Sequence, residues 1–262
     1  MTLALIAGRG TLPAAVAAAA SAQPVVCAYE GTSPEGLDID LTFRLETLGT
    51  LLVRLGERGV TQVCFAGGID RPQLDPTKLD SETAPLVPLF MEALQKGDDG
   101  ALRVVMDLFE RTGFTVLGAD EVAPDLLAKG GVHSELWPDA AMRRDAEIAA
   151  EHILELSAKD IGQACVAGNG TLRAMEDAAG TDAMLAGLGD RGAGAILFKG
   201  PKAGQTRKID LPTVGPETFI AAARAGLRGV VVDAGDVIVL DAPRCTALAD
   251  EHGLVFWART GE

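Results

Sequence analysis

From Thr2 to Leu117, short apolar runs alternate with helical patterns, and this rhythm restricts the fold more than any other feature of the chain. Thr2 to Ala7 reads as a buried strand, Gly8-Arg9-Gly10-Thr11-Leu12-Pro13 as a tight turn, and the Ala-rich stretch to about Ser21 as a helix. Further strands are expected over Pro24 to Tyr29, Leu41 to Leu45, Thr61 to Ala66 and Phe114 to Leu117. Helices are expected over Glu46 to Arg58, ended by Gly59, over Ala84 to Lys96 and over Ala101 to Thr112. Strands linked through helices imply a parallel sheet with covering helices.

Between Pro124 and Pro138 the periodicity is lost, with Gly130-Gly131 and Trp137-Pro138 inside the stretch. Two domains are therefore expected, 1–131 and 139–262, joined by a linker over 132–138. The second opens with a long helix from Asp139 to Ser157, capped by Asp139. Strands at Gln163 to Ala167 and Thr171 to Glu176 turn on Gly168-Asn169-Gly170, a strong hairpin signal. Gly180-Thr181-Asp182 heads a short helix; strands follow at Gly194 to Lys199, Gly229 to Asp233, Val237 to Leu240 and Leu254 to Trp257. Helices cover Thr218 to Ala225 and Pro243 to His252. The fold class is thus α/β in two domains: an N-terminal Rossmann-like parallel sheet with helices, and a C-terminal mixed α/β domain that does not repeat the first.

Charge and composition narrow the function. A net charge of -14 over 262 residues argues against nucleic-acid binding, which depends on many cations neutralising phosphates. Cys27, Cys64, Cys165 and Cys245 form no CxxC pair and lie in apolar runs, as buried thiols in a reducing, cytoplasmic compartment would. His133, His152 and His252 are isolated, which disfavours a histidine zinc site. The apolar N-terminus ends in Ala20-Ser21-Ala22 like a signal peptide. No cation precedes it, and Gly8-Arg9-Gly10 and Pro13 interrupt it, so strand, loop and helix fit better.

Against this acidic background Lys199, Lys202, Arg207 and Lys208 fall within ten residues, on a loop broken by Gly200, Pro201 and Gly204. Asp210 follows, and Pro216-Glu217-Thr218 starts a helix. Cations, acid and helix N-terminus suit phosphate handling. A solvated basic loop beside a structural Asp fits the same spacing. The Gly8 loop, with Gly10, lets a ligand approach the backbone. It lacks the third glycine of the dinucleotide fingerprint, because Pro13 stands there, so an NAD(P)-dependent oxidoreductase is a rival reading. Gly67-Gly68-Ile69-Asp70-Arg71 ends a strand where open α/β sheets hold ligands, and Arg71 either binds a phosphate or pairs with Asp70. Asp98-Asp99 suits a helix start or a cation. The apolar residues of Leu86 to Leu94 suit core burial or contact with an acyl chain.

The blocks IAGRGTLP, GGIDRP, GDDGALR, DIGQ, EDAAGTDAML and KGPKAGQTRKIDLPTVGPET follow one another in order. With them the chain resembles, from end to end, the LpxI-type UDP-2,3-diacylglucosamine pyrophosphatases of lipid A biosynthesis. Two positions depart from it: Thr206 stands where the family often has Asp, and Asp233 where it often has Glu. The resemblance implies hydrolysis of a lipid-linked nucleotide sugar to UMP and 2,3-diacylglucosamine 1-phosphate, with Mg²⁺ as cofactor. It also allows for peripheral contact with the inner membrane and for a homodimer. Carried over by motif, Asp210 is the essential acid; Lys199, Lys202 and Arg207, as cations, suit neutralising the charge of the pyrophosphate and are the further catalytic candidates. Asp210, Asp182 and Glu176 are candidate metal ligands. Gly8, Gly10, Gly67, Arg71, Gln163, Thr181 and Thr213 are candidate substrate contacts. A non-catalytic nucleotide- or lipid-binding module using the same loop is the second rival.

Overall fold

The computed structural model describes residues 1–69, 74–89, 98–156, 162–202, 207–208 and 211–260, with 98–102 and 156 as backbone alone. The chain divides into two compact units, Met1–Pro124 with Arg207–Ile209, and Asp125–Thr206 with Asp210–Glu262. Among the described residues no helix is long and apolar enough to cross a membrane.

The first unit contains β1 (Thr2–Ala7), α1 (Leu12–Ala19), β2 (Val25–Tyr29), β3 (Leu41–Phe43), α2 (Leu48–Glu57), β4 (Val60–Ala66), α3 (Asp98–Arg111), β5 (Thr115–Leu117) and the single turn α4 (Ala119–Val122). The strands form one sheet in the order β3-β2-β1-β4-β5, every pair parallel. The central strand is buried on both faces from Ala4 to Ala7, which explains its unbroken apolar run. Helix α2 places Leu48, Leu51, Leu52 and Leu55 on one stripe, and these join Ile6, Val63 and Phe109 in the core.

Two expectations shift here. Leu45 does not extend β3, and Glu46 does not begin the helix. Leu45–Thr47 is a 3₁₀ turn, closed by the Arg44 N–H donating to Thr47 Oγ1 at 3.0 Å. Glu46 turns inward instead: its carboxylate accepts from the Asp75 N–H at 2.6 Å and from Arg44 Nε at 3.3 Å. A polar side chain taken from the outer helical face cannot be read from periodicity. The helix expected over Ala84 to Lys96 starts as a 3₁₀ turn at Ala84–Leu86; its remainder from Phe90, like Arg71, lies outside the described residues.

The second unit contains β6 (Gly131–Val132), α5 (Ala140–Leu156), β7 (Ala164–Gly168), β8 (Thr171–Met175), α6 (Gly180–Ala186), β9 (Ile196–Lys199), β10 (Thr213–Val214), α7 (Pro216–Arg224), β11 (Gly229–Asp233), β12 (Ile238–Val239), α8 (Ala242–Glu251) and β13 (Val255–Arg259). Its main sheet runs β6-β13-β11-β9-β7-β8. Strands β9, β11 and β13 are parallel, whereas β6, β7 and β8 pair antiparallel with their neighbours. One face carries Leu197, Val230 and Val232 against Phe219, Leu248 and Phe256; the other carries Ile196, Phe198 and Val231 against Met142, Ala146, Ala149 and Ile153. Alanines on α5 let that helix lie close to the sheet. Asp139 caps it, accepting from the Met142 N–H at 2.7 Å.

The hairpin turns on Asn169 and Gly170, with φ of 57° and 74°, as a two-residue turn of this twist needs. The stretch 132–138, expected as a linker, instead begins on this sheet. Gly131–Val132 pairs with Trp257 and Ala258, and the buried Ser134 hydroxyl accepts from the Phe256 N–H at 2.8 Å. A two-residue strand followed by a loop is too short to carry a period.

Candidate active site

Because β9, β11 and β13 run parallel, their carboxyl ends share one edge of the second sheet, where open α/β sheets hold their ligands. Lys199, Asp233 and Arg259 are the last residues of those strands. In register, Lys199 stands opposite Ala164 of β7. The Glu176 N–H, just past β8, donates to the Ala164 carbonyl at 2.9 Å. Glu176, Ala164 and Lys199 thus form a row across three neighbouring strands.

Side chains join the ends of this row. One carboxylate oxygen of Glu176 accepts from the backbone N–H groups of Gln163 at 2.5 Å and Ala164 at 3.1 Å. The other accepts from the Thr181 hydroxyl. Thr181 Oγ1 in turn accepts from Lys199 Nζ at 3.0 Å. Four of the sequence-predicted residues therefore meet here: Gln163, Glu176, Thr181 and Lys199. The glycine of DIGQ has a steric reason, since a Cβ on Gly162 would collide with the Glu176 carbonyl and side chain.

Beside the row, Asp233 pairs with Arg259 at 2.6 Å, and Arg259 lies over the Phe198 ring at 5.1 Å. Burial pushes the Asp233 carboxyl above its ordinary value, and Arg259 offsets this only in part. Gly200 donates its N–H to the Gln163 carbonyl at 3.1 Å, and a Cβ there would come within 2.6 Å of Asp233 Oδ2. The sequence assigns Asp233 no role. Its place after a Val-Val-Val run at a parallel strand's end was the signal available.

In the first unit the strand order reverses about β1 and β4, and the loops after these strands meet. Arg9 N–H donates to the Gly68 carbonyl at 2.8 Å, and Gly68 N–H returns to Arg9 at 3.2 Å. A Cβ on Gly8 would lie 2.6 Å from the Gly67 carbonyl carbon, and one on Gly67 2.6 Å from the Arg9 oxygen. Gly67 and Gly10 also have φ of 86° and 88°. Backbone packs on backbone at this point, and Pro13 sits in the first turn of α1.

The other candidates lie as follows. Arg207 and Lys208 group with the first unit, pairing with Asp120 at 3.1 Å and Glu110 at 2.9 Å. Lys202 is half-buried. Thr213 lies on β10 and donates to the Leu211 carbonyl at 3.2 Å. Asp182 is exposed, one residue past Thr181 on α6. Asp210 lies outside the described residues, and among those described no three His, Cys, Asp or Glu gather to hold a metal ion. All four cysteines are buried, which pushes each thiol up to about 12 and removes them as nucleophiles at neutral pH.

Fold and edge together define a two-domain α/β protein with cations and carboxylates at the carboxyl end of a partly parallel sheet. Residues 2–126 match the family model of the LpxI N-terminal domain, and residues 129–257 that of the LpxI C-terminal domain. The chain belongs to the LpxI family. It is 35% identical, over 96% of its length and 95% of the relative's, to the UDP-2,3-diacylglucosamine pyrophosphatase LpxI of Caulobacter vibrioides.

Proposed function

We propose that this chain hydrolyses the phosphoanhydride of UDP-2,3-diacylglucosamine, releasing UMP and 2,3-diacylglucosamine 1-phosphate for lipid A biosynthesis. The observation that carries the reading is Lys199, held at the carboxyl edge of the second sheet by the Thr181 hydroxyl. Its ammonium is suited to neutralise charge on a phosphoryl oxygen as the bridging P–O bond breaks. Lys202 is assigned to the same diphosphate. Asp210 is assigned to orient the attacking water and accept its proton, which is the work of a general base.

Mg²⁺ usually keeps several waters and takes one or two carboxylates plus substrate phosphates, so it does not need a closed protein cage. Glu176 fits this poorly, because both of its oxygens already accept hydrogen bonds. The exposed Asp182, together with Asp210, suits it better, and we assign the ion to that pair. When bound, it would add positive charge at the phosphates. The dinucleotide rival lacks the third glycine of its fingerprint, because Pro13 stands there in the first turn of α1.

The test is UMP release by the purified chain from UDP-2,3-diacylglucosamine, with Mg²⁺ and after its removal by chelation. Turnover that depends on Mg²⁺, and is far slower on UDP-GlcNAc, is the expected result. Binding without UMP release would favour the non-catalytic module. Equal rates on the two substrates would deny any role to the acyl chains.

A further inference from the structure

Glu176 sits at one end of the row without facing it as a free acid. A carboxylate offers about four lone-pair positions, and here the Gln163 and Ala164 N–H groups and the Thr181 hydroxyl fill three of them. Thr181 has a single proton. Donated to Glu176, it leaves the hydroxyl oxygen as an acceptor, and Lys199 Nζ donates to it at 3.0 Å. The direction of the chain of bonds is therefore fixed, from ammonium to hydroxyl to carboxylate to backbone. Its far end is anchored: the two N–H groups belong to Ala164, the first residue of β7, and to Gln163 just before it, and Gly162 packs directly on Glu176.

We propose that Glu176 is a positioning residue: acting through Thr181, it aims the Lys199 ammonium at the substrate's diphosphate, and it is not a metal ligand. This rests on the pyrophosphatase reading for its substrate, while the geometry behind it belongs to the second unit alone.

Glu176→Gln separates the roles. Its amide oxygen still accepts the two backbone N–H groups, so a purely structural Glu176 would tolerate the change. Its NH₂, however, would face Thr181 as a donor and turn the hydroxyl proton towards Lys199. Since small misplacements of a reacting group cost up to 10²-fold, Glu176→Gln should lower kcat by about tenfold or more. With KM and the half-saturating Mg²⁺ concentration within about threefold of wild type, the loss would lie in the transition state. Thr181→Val should resemble it, and Thr181→Ser should recover most of the rate. In a Lys199→Ala background Glu176→Gln should have little further effect, because residues acting through one another are not additive.

A second readout does not need turnover. The rate of labelling of Lys199 by an amine-reactive reagent, followed by mass spectrometry, should change by about threefold or more in Glu176→Gln and Thr181→Val, but not in Thr181→Ser. Wild-type kcat in Glu176→Gln, additive losses with Lys199→Ala, a raised Mg²⁺ requirement or unchanged labelling would each overturn the proposal. Absence of UMP release by the wild type would instead overturn the pyrophosphatase reading, and the labelling would still decide the geometry.

Discussion

The two units each bring loops together at the carboxyl edge of parallel strands, and they fill that edge with different chemistry. In the first unit the meeting is backbone on backbone: Gly8 against Gly67, with Arg9 and Gly68 exchanging hydrogen bonds. In the second it is side chain on side chain: Lys199, Thr181 and Glu176 in one chain of bonds, and Asp233 with Arg259 beside it. The same sheet geometry thus yields a stitched turn in one case and a charged surface in the other. What decides is whether the strand-end residues are glycines, which allow backbones to touch, or long polar side chains, which hold them apart.

That comparison can be broken first at Gly8. If the stitched turn is a packing device, Gly8→Ala should destabilise the first unit by about 3 kcal/mol or more, because the added methyl meets backbone that cannot rotate away. A lowering of the corresponding calorimetric transition by roughly 10 °C is the expected size. Gly10→Ala is the control. Its Cβ would enter open space, so only the left-handed φ is penalised, at about 1 kcal/mol. Equal losses at the two positions would show that close approach is not what the loop requires.

A smaller effect is expected at Glu46, which anchors the Asp75 N–H inside the first unit. Glu46→Gln should cost about 1–2 kcal/mol, as for a buried acceptor that loses charge-assisted bonds. The smallest effect is a difference in pH response. Burial pushes the Glu46 carboxyl up, but the Asp75 N–H and Arg44 outweigh it and hold it below its ordinary 4.5. Its stabilisation is therefore complete above pH 4.5 and is lost as pH falls through the folded value. Asp233 is held above its ordinary 3.8, so its contribution is complete below that and falls as pH rises through the folded value. On acidification the penalty of Glu46→Gln should shrink and that of Asp233→Asn should grow. Melting curves of both variants against pH measure this, and slopes of the same sign would refute the assignment.

The sequence made the elements legible wherever one local rule governed them. The run from Thr2 to Ala7 is a strand because both faces are covered, and Asn169-Gly170 is a turn because its backbone needs positive φ. Glu46 and Ser134 escaped the reading because their partners, Asp75 and Phe256, lie far away in the chain. The site divides in the same way. Lys199, Thr181, Glu176 and Gln163 could be named from their motif blocks, but that the Glu176 carboxylate accepts from the Gln163 and Ala164 N–H groups follows only from the pairing of β7 with β8 and β9. Arg207 is read from the sequence as a neighbour of Lys199 in the chain, and the sequence gives no sign of its bond to Asp120, which lies far from it in the chain.

The central claim is that phosphoanhydride cleavage is carried by the charged edge of the second sheet, and Lys199→Ala tests it most directly. UMP release from UDP-2,3-diacylglucosamine should be measured with Mg²⁺ present, beside a thermal melt of the same preparation. The account predicts an unchanged melt and a kcat/KM lower by about a hundredfold, the order expected for one preorganised charge facing the transition state. A well-folded Lys199→Ala protein with near wild-type kcat/KM would contradict it.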